Sequence, residues 1–152
     1  MTVIKSKIIG GDKLAKKLQK FGDEGNMELQ AITKINALEM QATAKQKAPV
    51  NKAKNVTGGD LRQSIQIAEN TPYSYTVFTN LFYAPFVEFG TGGNVDIPKG
   101  WEEIAAQFKG RGIRKVNISA QPYMYPAFKE QTPKYIKDIT KAYRDLKKKY
   151  DL

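Results

Sequence analysis

Four carboxylates, Glu88, Asp96, Glu102 and Glu103, are the side chains in this sequence best suited to hold a hard cation such as magnesium for nucleic-acid cleavage. Their spacing specifies no site, and the adjacent Glu102 and Glu103 diverge on any helix. The chain has no histidine and no cysteine, which excludes disulfides, thiolate and imidazole chemistry and the usual zinc ligand sets. Gly90-Thr-Gly-Gly-Asn94 has the glycines of a phosphate loop but neither the Gly-Lys-Ser/Thr ending nor a following helix, so it reads as a turn. These residues lead to an expectation of no catalysis, no cofactor and no metal.

Two further patterns could bind nucleic acid. Phe86-Val-Glu-Phe89 matches the second half of the aromatic signature that stacks on RNA bases. Its first half fails, because Phe82, Tyr83, Ala84 and Pro85 stand where a basic residue, glycine, an aromatic and a small residue belong. The second pattern is charge. With 25 basic and 15 acidic residues the chain carries +10, enough to draw polyanions or acidic protein faces by long-range attraction. The basic residues Lys147, Lys148 and Lys149 close the chain's last periodic segment, and Arg111, Arg114 and Lys115 form a glycine-bearing basic loop. Either group is a solvated surface or a surface offered to DNA phosphates or to an acidic partner, and the sequence leaves both readings open.

The elements that must position these residues follow from periodicity. At 152 residues the chain is expected to be one domain (1–152) with one core, and no apolar run approaches the roughly 20 residues that span a bilayer. No signal peptide is visible at the N-terminus. Thr2 to Ile9 suits a lysine-guarded edge strand. Residues 12 to 47 read as one helix, continuous or kinked at Gly22–Gly25, with Ile32, Ile35, Leu38 and Ala42 as a stripe packing on a sheet. Pro49 ends it.

A polar loop spans about 49–60. Leu61 to Ile67 and Tyr73 to Thr79 alternate with a period of two, and Tyr83 to Phe89 is rich in strand-forming aromatics. These predict a three-stranded antiparallel meander. Gly90 would turn the chain into an insertion at about 91–118, with two helical turns at Trp101–Phe108 and a returning strand at Val116–Ser119. A last helix carries Tyr135 or Ile136, Ile139, Tyr143, Leu146 and Tyr150, continuous or broken at Thr132-Pro133. The fold class expected is α+β: an antiparallel β-sheet meander packed against a long N-terminal helix and a C-terminal helix.

Four motifs occur in order: Ala48-Pro49; Thr57-Gly58 followed by Leu61-Arg62-Gln63-Ser64-Ile65; Tyr83-Ala-Pro-Phe86-Val-Glu88-Phe89-Gly90-Thr91; and Gln121-Pro122 within Ala120–Phe128. Together they resemble the gene-product-ten-like neck and tail-completion family of long-tailed bacteriophages. Gly59-Asp60 lengthens the second motif, and residues 94–118 are longer than the link expected before Gln121-Pro122. The resemblance implies a structural protein of the virion head–tail junction, made in the bacterial host cytoplasm and not bound to membrane. It also implies assembly with itself into a ring, a hexamer or dodecamer, around the DNA passage. Neighbouring connector, head-closure and tail proteins would be its partners, and packaged DNA a non-specific one. Thr57, Gly58, Leu61 and Arg62 are then interface candidates. The alternative from residues alone is a small basic nucleic-acid-binding module.

Overall fold

The computed structural model describes residues 11–50, 59–95, 97–107 and 118–151. Its frame is an antiparallel pair of long helices, α1 (Gly11–Lys47) and α5 (Met124–Lys149). At 1.5 Å per residue, the 37 residues of α1 extend about 55 Å. α1 runs through Gly22 and Gly25 without a break. Glycine costs about 1 kcal/mol against alanine at such positions, and a Cβ at Gly25 would make only ordinary contact with Leu146 of α5, 3.7 Å from the leucine Cδ1. Ala48 closes the last turn by donating to the Ala44 carbonyl, and Pro49 prevents another.

The predicted apolar stripe of α1 is not the buried face of the helix. Ile32 is half-buried and Ile35, Leu38 and Ala42 lie on the solvent side, while Thr33, Asn36 and Ala44 are buried and Met40 packs on the core. Hydrophobic content alone could not choose, because Leu29, Thr33, Asn36, Met40 and Ala44 also recur at helical spacing. The polar members of that second stripe are satisfied across the helix pair. Asn36 donates to Asp138 Oδ2 at 3.0 Å and accepts from Gln131 Nε2 at 2.6 Å. Gln131 also donates to Glu39, and the Thr33 and Tyr135 hydroxyls meet at 3.1 Å. A buried network satisfied this fully fixes one register of the two helices.

Between the long helices the chain forms a short helix, a hairpin and another short helix. α2 (Asp60–Ser64) replaces the first half of the strand expected at Leu61–Ile67. Leu61 and Ile65 are four residues apart, a spacing that suits one face of either a strand or a helix, and as a helix both enter the core. The strands β1 (Gln66–Thr71) and β2 (Ser74–Phe78) pair antiparallel, with Ile67 opposite Val77 and an irregularity between Glu69 and Thr71. The described sheet is this hairpin, not a three-stranded meander. The expected third strand is instead α3 (Ala84–Phe89). Pro85 suits a first helical turn, where its missing N–H removes nothing, and this local signal outweighs the aromatic preference for extended backbone.

Beyond it lie a 3-10 turn at Gly92–Asn94 and α4 (Glu102–Ala106), within the helix predicted at 101–108. Of the predicted returning strand, the described Ile118 and Ser119 are not strand. Thr2–Ile9, Val116 and Asn117 lie outside the described residues. α5 begins before Thr132 and continues through Pro133, so of the two alternatives the helix is the continuous one. The fold is α+β, and its core joins Ala44 of α1 and Ala48 just after it, Leu61 and Ile65, Ala84 of α3, and Tyr123, Met124 and Ala127 of the α5 start.

Candidate functional site

The two most distinctive sequence motifs meet at one buried carboxylate. Glu88 is 4% exposed, one helical turn after Ala84, so α3 turns both residues inward. Its Oε2 accepts the backbone N–H groups of Tyr123 at 2.8 Å and Met124 at 2.9 Å, and its Oε1 accepts that of Tyr125 at 2.8 Å. A helix leaves its first four N–H groups without internal partners. Here three are taken by Glu88, and the fourth position is Pro126, which has none to offer. The negative charge also sits at the positive end of the helix dipole. Glu88 therefore serves as the N-cap of α5, supplied from 35 residues away.

Short backbone contacts lock the same junction. Gln121 donates its N–H to the Val87 carbonyl at 2.8 Å, Thr91 donates to the Ile118 carbonyl at 2.9 Å, and the Ile118 N–H returns to Thr91 Oγ1 at 2.9 Å. Gly90 makes the chain reversal between them with φ 77° and ψ −171°, a conformation open essentially to glycine alone. Phe89 is buried beside Trp101, with ring centroids 6.0 Å apart, and Trp101 meets Tyr125 edge-on at 5.6 Å. Burial, with the nearby Glu88 carboxylate adding to it, pushes the Tyr123 hydroxyl well above the ordinary tyrosine range.

The remaining predicted site residues separate into different places. Tyr83 is half-buried against the core, whereas Phe86, across α3 from Ala84 and Glu88, turns outward. Gln121 and Pro122 have exposed side chains, and Gln121 joins the junction through its backbone N–H. Leu61 is in the core, and Arg62 donates to the Ala48 carbonyl at 3.1 Å, holding the end of α1. Thr57, Gly58, Arg111, Arg114 and Lys115 lie outside the described residues, as does Asp96.

Lys147, Lys148 and Lys149 occupy the last turn of α5, where positive charge complements the helix dipole. Lys149 is engaged by Glu24 at 2.6 Å, and that hydrogen bond is the main reason the lysine is raised and the glutamate lowered from their ordinary values. Sequence reasoning missed the cluster across from them: Lys13, Lys16, Lys17 and Lys20 recur at three, one and three residues along α1 and line a cleft with Tyr150. That spacing places them on one helical face and was legible in principle.

Glu102 and Glu103 are exposed on α4, away from the buried Glu88. Among the described residues there is no grouping of three or more histidine, cysteine, aspartate or glutamate side chains fit to hold a metal ion. No helix among them is long and apolar enough to cross a membrane. The arrangement around Glu88 joins a central turn to a long helix.

Residues 12–90, more than half of the chain, match the bacteriophage structural family described as "Bacteriophage HK97-gp10, putative tail-component". The chain belongs to this family. No curated protein and no solved structure matches it. The match runs from the first turn of α1 to the Gly90 turn, so Glu88 lies inside it and the helix that Glu88 caps lies beyond it.

Proposed function

We propose that this protein is a structural component of the phage head–tail junction, assembling as a homo-oligomeric ring around the DNA passage and helping to join tail to head. The observation that carries the reading, beside family membership, is how much large apolar side chain the fold leaves in water. Ile35 on α1, Phe82 before α3 and Ile136 and Tyr143 on α5 are all among the exposed residues. Apolar surface spread over several elements marks protein–protein contact when it forms patches. A ring uses two different faces of each subunit, a heterologous contact that closes by rotation. Connector, head-closure and tail proteins are the neighbours such a ring would meet.

The test is the mass of the purified chain and of the particles that carry it. A closed oligomer, together with heads and tails that fail to join when the gene is deleted, is the expected result. A strictly monomeric state both free and in particles overturns the ring.

The basic tip, where Lys13, Lys16, Lys17 and Lys20 of α1 approach the α5 end bearing Lys147 and Lys148, supports a role facing the DNA passage. Phosphate contacts of this kind release counterions and weaken steeply with salt. Charge reversal at Lys147 and Lys148 is expected to lower genome retention in assembled particles, and unchanged titre counts against it. Tight, salt-sensitive binding of the free monomer to DNA would favour the simpler nucleic-acid-binding module instead.

A further inference from the structure

Asn36 and Gln131, the buried centre of the seam between α1 and α5, also floor an open hollow of about 240 Å³ where the hairpin turn meets the two long helices. Its walls are apolar. Met40 lines it from α1, and the rings of Tyr73 and Phe128, 45% and 47% exposed, stand at its mouth. Tyr73 is tethered there, because its hydroxyl accepts from Gln30 Nε2 of α1 at 3.1 Å. Among the described residues that line the hollow, none is charged.

The donors of the floor are all spent. Thr33 Oγ1 donates to the Leu29 carbonyl at 2.7 Å, so in its 3.1 Å pair with Tyr135 the tyrosine is the donor. Asn36 gives its two N–H groups to the Ile32 carbonyl and Asp138, and Gln131 gives its two to Asn36 and Glu39. Gln131 Oε1, by contrast, accepts no hydrogen bond from a described residue, although Gln131 is 5% exposed. Among the described residues every sealed side-chain nitrogen and oxygen has a partner, so this oxygen is open to the space that Gln131 lines. The base of the hollow therefore offers an acceptor and no donor.

That inventory selects the occupant's chemistry. A phenyl or alkyl group would bury the oxygen unpaired, and a lysine or arginine would bring in a charge that no lining residue balances. An aromatic ring carrying one N–H or O–H suits both walls and base, as buried tryptophan and tyrosine require a partner for that group. The volume lies below the roughly 300–1,000 Å³ of small-molecule pockets and suits a single side chain. We infer that the hollow is an anchor site for one tryptophan or tyrosine side chain of another virion protein, whose N–H or O–H donates to Gln131 Oε1.

The occupant belongs to a different protein because this chain has no such side chain to spare. Its single tryptophan, Trp101, packs against Phe89 and Tyr125. Of the other seven of its eight tyrosines, Tyr73, Tyr75 and Tyr135 line the hollow itself. Tyr83 and Tyr123 pack with the core, and Tyr143 and Tyr150 meet Phe21 edge-on. A phage tail component meets other virion proteins, and this contact needs no ring.

Two measurements test the site. The full chain is titrated with N-acetyltryptophanamide and with its 1-methylindole analogue, followed by NMR of the Gln131 side-chain amide. Saturable shifts are expected, with affinity about two- to tenfold weaker for the methylated ring, the worth of one neutral hydrogen bond. Ala37→Met, which fills the hollow from α1 and leaves the seam residues in place, is expected to abolish the shifts. Equal affinity for the two rings, or binding of neither, overturns the site. In particles, benzoylphenylalanine placed at Ser74 on the lining is expected to cross-link to a peptide of another virion protein beside a tryptophan or tyrosine. Changing that aromatic to alanine should remove the cross-link. A cross-link to a second copy of this chain, to a segment without such a residue, or to nothing overturns the partner, whether or not the chain forms a ring.

Discussion

Glu88 Oε1 accepts the backbone N–H of Tyr125 at 2.8 Å, and with that bond a carboxylate in the middle of the chain takes charge of the helix that ends it. The partner Oε2 holds Tyr123 and Met124. Nothing within the α5 sequence itself caps this helix by side chain, so its start is set by tertiary structure.

Replacing Glu88 should therefore act on α5 from a distance. Glu88→Ala leaves three buried or half-buried N–H groups without partners, and hydrogen bonds to a charged group are worth about 1.5–3 kcal/mol each before non-additivity. A net loss of about 3–5 kcal/mol is expected, and Glu88→Gln, which keeps one acceptor oxygen, should fall between. Urea unfolding with hydrogen exchange at Tyr123–Tyr125 checks both; unchanged protection there would refute the capping role.

Gly90 is the second point of constraint. Its φ of 77° with ψ of −171° is strained for any residue with a Cβ, at a cost of about 1–3 kcal/mol. Gly90→Ala should lower the unfolding free energy by that amount, with a correspondingly lower midpoint, and Gly90→Val by more, because β-branching narrows its backbone further. Equal midpoints for wild type and alanine variant would contradict the observed turn.

The polar seam between α1 and α5 predicts coupling. Asn36→Ala removes contacts to both Asp138 and Gln131, and Gln131→Ala removes those to Asn36 and Glu39. Each should cost about 1–3 kcal/mol, and the double variant should fall short of the sum by about 0.5–3 kcal/mol, as residues in one network do. Strict additivity in a double-mutant cycle would show that the two do not act together.

Tyr123 sets an alkaline limit. Its hydroxyl is raised, chiefly by burial, above the unfolded value near 10. The neutral phenol is thus favoured in the folded state, a contribution fully present below about pH 10 and lost as the pH climbs toward the raised folded value. Tyr123→Phe should flatten the fall of stability above about pH 10. Chemical unfolding across that range, with tyrosine ionisation followed by ultraviolet difference spectra, reads it out.

Much of this was legible in the sequence. The runs from Ile32 to Ala42 and from Tyr135 or Ile136 to Tyr150 have helical period, the residues around Ile67 and Val77 alternate, and Pro49 and Gly90 punctuate where the backbone ends or reverses. These are local preferences, set by side-chain sterics and the φ available to each residue; they fix helix and strand, not the face that is buried, and Ile136 and Tyr143 of the predicted α5 stripe lie exposed while Gln131, Ala142 and Leu146 are buried. Pro85 and Pro126 were equally local signals of helix starts, overshadowed by the aromatics around them.

What the tertiary structure alone decided is which of two possible faces of α1 turns inward, and what holds α5 at its first turn. A helix with Ile35 and Leu38 on one side and Thr33, Asn36 and Met40 on another has no intrinsic preference strong enough to settle the matter. The choice falls to Gln131, Tyr135 and Asp138, which satisfy the polar side across the helix pair. Likewise the sequence announces an acid among aromatics at Glu88, but the three N–H groups that make its burial tolerable lie at least 35 residues away. Hydrogen-bond satisfaction is a property of groups brought together in space, and no spacing along the chain encodes it.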